Sequence, residues 1–188
     1  MKAMHSLICR RSMPAICASI TLTVVSGCTD NRGGNALPVT SAASNTAPPS
    51  NAASVDPFGG LKACGVLDKA LEGSGFSPAI VDKAGGDNGC KADKAQYGGL
   101  NLTLQPDLGI KDLNGDKSKQ HDGQINGRRS IEVREGLGSS GDCAIAMEVT
   151  NTSRAFVVAS LSVGTTDEAC KFVENVANKV EPQLPKGN

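Results

Sequence analysis

The chain has 188 residues, with 19 basic side chains, 19 acidic side chains and seven cysteines. Domains run to roughly 100–150 residues, so one ordinary domain with additional segments is expected. Zero formal net charge supplies no basic surface, and nucleic acid is not an expected partner. Charged residues make up 20% and apolar residues 39%, which excludes a wholly disordered chain.

The first segment, 1–27, reads as an export signal. Lys2, Arg10 and Arg11 form a positive start, and 13–27 is an uncharged, mostly apolar run of 15 residues. A bilayer span needs about 20 such residues, so the run fits the core of a secretory signal. Arg10-Arg11 hints at the twin-arginine route, but Ser12-Met13-Pro14 fits it poorly, and general secretory export is expected. The run ends in Val25-Ser26-Gly27-Cys28. This resembles the lipobox of bacterial lipoproteins: an aliphatic residue, two small residues that fit a signal peptidase, then cysteine. The resemblance implies a diacylglyceryl group on Cys28 and cleavage before it. The expected location is the extracellular face of the cell membrane, with the membrane as a partner through that lipid. Loss of Lys2, Arg10 and Arg11 leaves 16 bases against 19 acids, a net charge of about −3. That balance suggests no polybasic contact with anionic lipid, so attachment falls to the acyl chains, at about 0.8 kcal/mol per buried methylene.

Cys28 is followed by a tether, so that 28–55 forms the second segment. It is rich in Ala, Ser, Asn and Thr, carries Pro38, Pro48 and Pro49, and has no apolar periodicity. Such a composition cannot bury enough surface to offset its ordering entropy. A flexible run of this length reaches on the order of 30 Å.

The third segment, 56–188, is the domain. Asp56-Pro57 reads as a helix N-cap with proline at the first helical position. Leu61, Cys64, Leu67 and Leu71 fall on one helical face, though Gly59, Gly60 and Gly65 predict a late start. Gly73 and Gly75 end the helix. The cluster Gly85-Gly86-Asp87-Asn88-Gly89 is a turn without the spacing of a phosphate-binding loop. Leu100, Leu102 and Leu104 alternate with polar residues, as in a half-buried strand. The connection 106–123 shows no clear periodicity and mixes charges of both signs, which marks a long loop of the kind that often binds.

Asn126-Gly127 predicts a two-residue hairpin turn. Ile131 and Val133 then point one way, and Glu132 and Arg134 the other. Cys143, Ile145, Met147 and Val149 alternate on an apolar face, and 155–163 is apolar on both faces, like a central strand. Asn151-Thr152-Ser153 predicts a hairpin between those two strands. Thr165 stands three residues ahead of Glu168, a capping box. The helix it opens shows Cys170, Val173, Ala177 and Val180 on one face, and Pro182 and Pro185 end it. The expected fold is α+β, an antiparallel sheet with N- and C-terminal helices packed on one face.

Cys9 and Cys17 leave with the signal and Cys28 takes the lipid, so Cys64, Cys90, Cys143 and Cys170 remain. Four cysteines in an oxidising compartment predict two disulfides, with three possible pairings. Cys64–Cys90 and Cys143–Cys170 are preferred, because Cys143 and Cys170 both face the apolar side of a strand and a helix. Zinc and thiol-redox chemistry are disfavoured by the lack of CxxC or CxxH.

The domain resembles a family. Ala63-Cys64-Gly65-Val66-Leu67-Asp68, Gly89-Cys90-Lys91-Ala92, Asn126-Gly127-Arg128-Arg129, Cys143-Ala144-Ile145-Ala146 and the ending Val180-Glu181-Pro182-Gln183-Leu184-Pro185 are similar, in order, to segments of the actinobacterial lipoproteins built on domain of unknown function 3558. Phe58 after Asp56-Pro57, and Ala92 where an aromatic residue often follows the second cysteine, depart from the pattern. The resemblance implies the four-cysteine framework and a surface location, and no established reaction.

Catalytic candidates are few. His121 is the only histidine of the mature chain and reads as solvated in a polar, glycine-rich loop. No nucleophile motif accompanies it, so no catalytic residue is assigned. Asp112-Leu113-Asn114-Gly115-Asp116 has the alternating oxygens of a calcium loop, but Lys117 and Gly123 break the pattern, and no metal or cofactor is expected. Arg128-Arg129 could receive an anion, or form the polar side of a hairpin. The preferred function is a lipid-anchored, non-catalytic binding or sensing module with a protein or small-molecule partner of unknown identity. A secreted hydrolase-like enzyme using residues such as His121 and Asp122, or a structural envelope protein, is the alternative.

Overall fold

The computed structural model describes residues 55–186; the segments read above as signal, lipidation site and tether lie outside them, apart from Val55. The described chain forms a seven-stranded antiparallel sheet with two helices and two disulfides. The elements are α1 (Ala63–Leu71), β1 (Ile80–Val81), β2 (Gly89–Lys94), β3 (Gly98–Gln105), β4 (Gln120–Ile125), β5 (Arg128–Arg134), β6 (Asp142–Thr150), β7 (Ser153–Leu161) and α2 (Thr166–Val180).

The strand order is β1-β2-β3-β7-β6-β5-β4. Two antiparallel meanders, β1 to β3 and β4 to β7, are therefore joined by the β3–β7 pair. The doubly apolar strand expected at 155–163 is β7, in the middle of the sheet. Both predicted hairpins form. Asn126 and Gly127, at φ of 50° and 86°, turn β4 into β5, the geometry that favours asparagine and glycine there. Thr150 pairs with Ser153 across the β6–β7 turn.

One sheet face carries both helices. Leu100, Leu102 and Leu104 of β3, Cys143, Ile145 and Met147 of β6, and Val157 of β7 bury there against Val66 and Leu67 of α1 and Val173 and Val180 of α2. The alanines Ala155 and Ala159 of β7 and Ala169 and Ala177 of α2 keep the layers close. Each large side chain fully buried here contributes roughly 1.5–3 kcal/mol. The capping box at α2 forms as its sequence predicts: Thr165 N–H donates to Glu168 at 2.8 Å, and Glu168 N–H donates to the Thr165 hydroxyl at 3.3 Å.

The disulfides tie each helix to the sheet. Cys64 of α1 bonds to Cys90 of β2, and Cys143 of β6 bonds to Cys170 of α2, with Cα separations of 5.1 and 5.0 Å. They close 26 and 27 residues, for which chain entropy alone gives roughly 3.5 kcal/mol each.

Two expectations need correction, and two strands lie where none is expected. Asp56-Pro57 does not begin a helix: the Asp56 carboxylate receives the N–H groups of Phe58 and Gly60 at 2.9 and 2.7 Å and closes a turn. α1 begins at Ala63 instead, where Asn88 from the turn before β2 accepts the Ala63 N–H at 3.0 Å and donates to Leu61 O at 2.8 Å. Strands β1 and β2 carry no clear apolar alternation, because GCKADK offers only Cys90 and Ala92 to the core. Finally, 106–123 is not loop throughout. Its last residues are β4, so His121 lies on an edge strand, paired with Glu132.

Candidate binding face

The face turned away from the helices is covered differently. β3 and β4 stand four places apart in the sheet, roughly 19 Å at about 4.8 Å per strand, so their connection has to cross the strands between. It does so with two apolar contacts. Ile110 and Leu113 are buried against Val133, Ala144 and Ala146, and Ile131, Phe156 and Val158 pack beside them. The in-phase residues Ile131 and Val133 belong to this face, while Glu132 and Arg134 turn to the helix side, where Arg134 pairs with Asp167.

Arg154 pins the crossing segment. The residue is 6% exposed, and its guanidinium donates to Gly109 O at 2.9 Å and to the Gln105 amide oxygen and lies over the Phe156 ring. Burial lowers its pKa from the usual arginine value, offset in part by the Asp112 charge. Gly109 has no room for a side chain, since a Cβ would stand 2.4 Å from Asn151 O.

The segment leaves a small cavity of about 120 Å³ between itself, the sheet and the β5–β6 turn. Leu113, Val133, Ala144, Phe156 and Val158 wall it. Leu137, 67% exposed, stands at its rim. One charged side chain lines it: Asp142, 6% exposed. The Ser160 hydroxyl donates to one Asp142 oxygen at 2.6 Å and the Ser139 hydroxyl donates to the other. Sequence reasoning passed over Asp142 and Leu137. The available signal was phase: Asp142 alternates with Ala144 and Ala146, opposite to Cys143.

The other candidates do not converge. His121 and Asp122 are successive strand residues and so point to opposite faces; Asp122 lies 3.8 Å from Arg129. Arg128 is a structural clamp: it donates to Glu181 at 3.0 Å, Glu148 O at 2.9 Å and Pro185 O at 2.9 Å. Arg129 stands between the carboxylates of Asp122 and Glu148, which disfavours an anion. The oxygens of the calcium-like run serve local turns. Asp112 accepts from Gly109 N–H at 2.8 Å, and Asp116 accepts from the Ser118 N–H and hydroxyl at 2.9 and 2.8 Å. Among the described residues the metal-ligand types gather at Glu132, Cys143 and Cys170, where both sulfurs already form a disulfide. No helix among the described residues is long and apolar enough to cross a membrane. An open cleft of about 730 Å³, lined about equally by polar and apolar surface, lies where Asp56 and Pro57 meet Pro106, Asn151 and Lys186.

These features define a disulfide-tied α+β sandwich with one helix-covered sheet face and one face crossed by the segment that joins β3 to β4. The family model described as protein of unknown function (DUF3558) matches residues 23–183, and the chain belongs to that family. Searches of curated proteins and of solved structures returned no match.

Proposed function

We propose that this chain is an actinobacterial lipoprotein, held at the extracellular face of the cell membrane through acylated Cys28, whose domain serves as a non-catalytic binding or sensing module. The observation that carries the reading is the fate of the cysteines. Five lie within the matched residues 23–183, and four of them bond to one another. Cys28, which follows an apolar run and Val25-Ser26-Gly27, is then the fifth, in the position where a lipobox carries its lipid. The slightly acidic mature chain is consistent with anchoring by acyl chains rather than by charge. The partner is a protein or a small molecule, met on the face that the helices leave uncovered.

The test is fractionation of intact cells expressing the full chain. The protein should sediment with membranes, be cut by protease added outside, and lose both its lipid and its cleavage before residue 28 on Cys28→Ala. A cytoplasmic location, or a Cys28→Ala chain that still carries lipid, would remove the reading.

A further inference from the structure

We propose that the cavity beside Asp142 is a binding site for a short aliphatic ammonium group. This deepens the reading of the domain as a binding module and rests on it, but it does not depend on the lipid anchor. Three observations carry it.

The first is charge. Asp142 is 6% exposed, yet the hydrogen bonds its carboxylate receives come from two neutral hydroxyls, those of Ser139 and Ser160. Among the described residues no Lys or Arg forms an ion pair with it. Buried carboxylates are ordinarily paired, and this one lines a cleft with no basic side chain beside it.

The second is valence. A carboxylate has about four acceptor positions. Two are used by the serines, so the carboxylate is held in orientation and retains positions for further donors. An ammonium supplies both the missing positive charge and up to three donors.

The third is shape. The walls are mostly apolar, from Leu113, Val133, Ala144, Phe156 and Val158, with Asn114 the polar neighbour of Leu113, around about 120 Å³. A water-sized group takes roughly 30 Å³, so the space suits a chain of about four or five non-hydrogen atoms. A methylene chain would lie along Val158 and Phe156, its charged end at Asp142. Leu137 at the rim, with Gly138 beside it at φ of 91°, offers a side chain to cover the bound group. An acid or a phosphate would meet Asp142 with like charge, which excludes anions. The same ammonium chemistry is found on a free alkylamine and on a lysine side chain of a partner peptide.

The experiment is an NMR titration of the isotopically labelled full chain. The probes are n-butylammonium, n-butanol and the peptide acetyl-Ala-Lys-Ala-amide. Butylammonium should shift the signals of Ala144 and Val158 at millimolar concentration and bind at least tenfold tighter than butanol. Asp142→Asn should weaken it at least tenfold. Ala144→Leu, which fills the cavity and keeps the carboxylate, should weaken it as much. Unchanged signals from Leu102 and Val173 in the helix-side core show that each variant is folded. Peptide binding equal to or tighter than butylammonium assigns the site to lysine side chains; exclusion of the peptide assigns it to free amines. Equal binding of butanol, retained affinity in Asp142→Asn, or no response at Ala144 and Val158 would overturn the site. That failure would leave the fractionation result, and the anchored-module reading, untouched.

Discussion

Arg128 and Glu181 meet at 3.0 Å, with side chains only 10% and 16% exposed, and so join the β4–β5 hairpin to the turn that follows α2. The same guanidinium holds Pro185 O, which fastens the end of the domain to the sheet edge. Arg128→Ala leaves the Glu181 carboxylate without its partner in a half-desolvated site. Urea unfolding should show a loss of about 2–3 kcal/mol, the scale of charge-assisted hydrogen bonds. Arg128→Lys should recover part of it, because an ammonium lacks the fork that reaches three acceptors. A change within about 0.5 kcal/mol for Arg128→Ala, the range of ordinary surface substitutions, would contradict the clamp.

The two disulfides bond different helices to the sheet, so their losses should be separable. Cys143→Ala with Cys170→Ala should cost roughly 3.5 kcal/mol by unfolding, and Cys64→Ala with Cys90→Ala about as much. Non-reducing peptide mapping should recover Cys64 linked to Cys90 and Cys143 linked to Cys170. Free thiols at all four positions, or crossed linkages, would contradict the framework.

Arg154 holds the segment that crosses the open face. Arg154→Ala should therefore speed amide exchange at Ile110 and Leu113 more than at Leu102 or Val157. Its stability cost should be about 2–3 kcal/mol from lost bonds to Gly109 and Gln105. Gly109→Ala should act at the same place, because its Cβ would meet Asn151 O at 2.4 Å. Uniform exchange across the sheet in either variant would show that the segment is not pinned separately.

Acid should destabilise the domain. Hydrogen bonds from backbone N–H groups hold Asp56 and Glu168 below their usual pKa, as do Ser118 for Asp116, Lys119 for Glu135 and Arg134 for Asp167. In each case the unfolded chain takes the proton first. Their contribution is thus present above the ordinary carboxylate range near pH 4 and lost as pH falls through the lower folded values. These groups are exposed, so the effect of each is small. The thermal midpoint should stay level from pH 7 to about 5 and fall below about 4. Glu168→Gln with Asp167→Asn should flatten that fall, and a midpoint that rises on acidification would contradict the assignment.

What was legible in the chain follows from periodicity. β6, β7 and α2 carry unbroken apolar phases and a capping box, and they form as read. Asn126-Gly127 has one favoured use, and it turns a hairpin. The cysteine pairing was readable because Cys143 and Cys170 share apolar phases. β4 was not legible, since Gln120 to Gln124 is polar on both sides of an edge strand, where no core imposes alternation. β1 has only two residues, Ile80 and Val81, both exposed. Asp56 misled for a physical reason: an aspartate before proline caps a turn as well as a helix, and only the position of Asn88, 25 residues beyond Ala63, decides where α1 starts. The candidate site was hidden because its walls come from β5, β6, β7 and a crossing segment whose path depends on strand order.

The lipid proposed on Cys28 is what would place this domain at the membrane. The direct measurement is mass spectrometry of the N-terminal tryptic peptide, Cys28-Thr29-Asp30-Asn31-Arg32, from full chain purified out of the cell membrane. The expected peptide begins at Cys28 and carries a diacylglyceryl thioether on its sulfur. A peptide with unmodified Cys28, or a mature chain that starts at another residue, would contradict it.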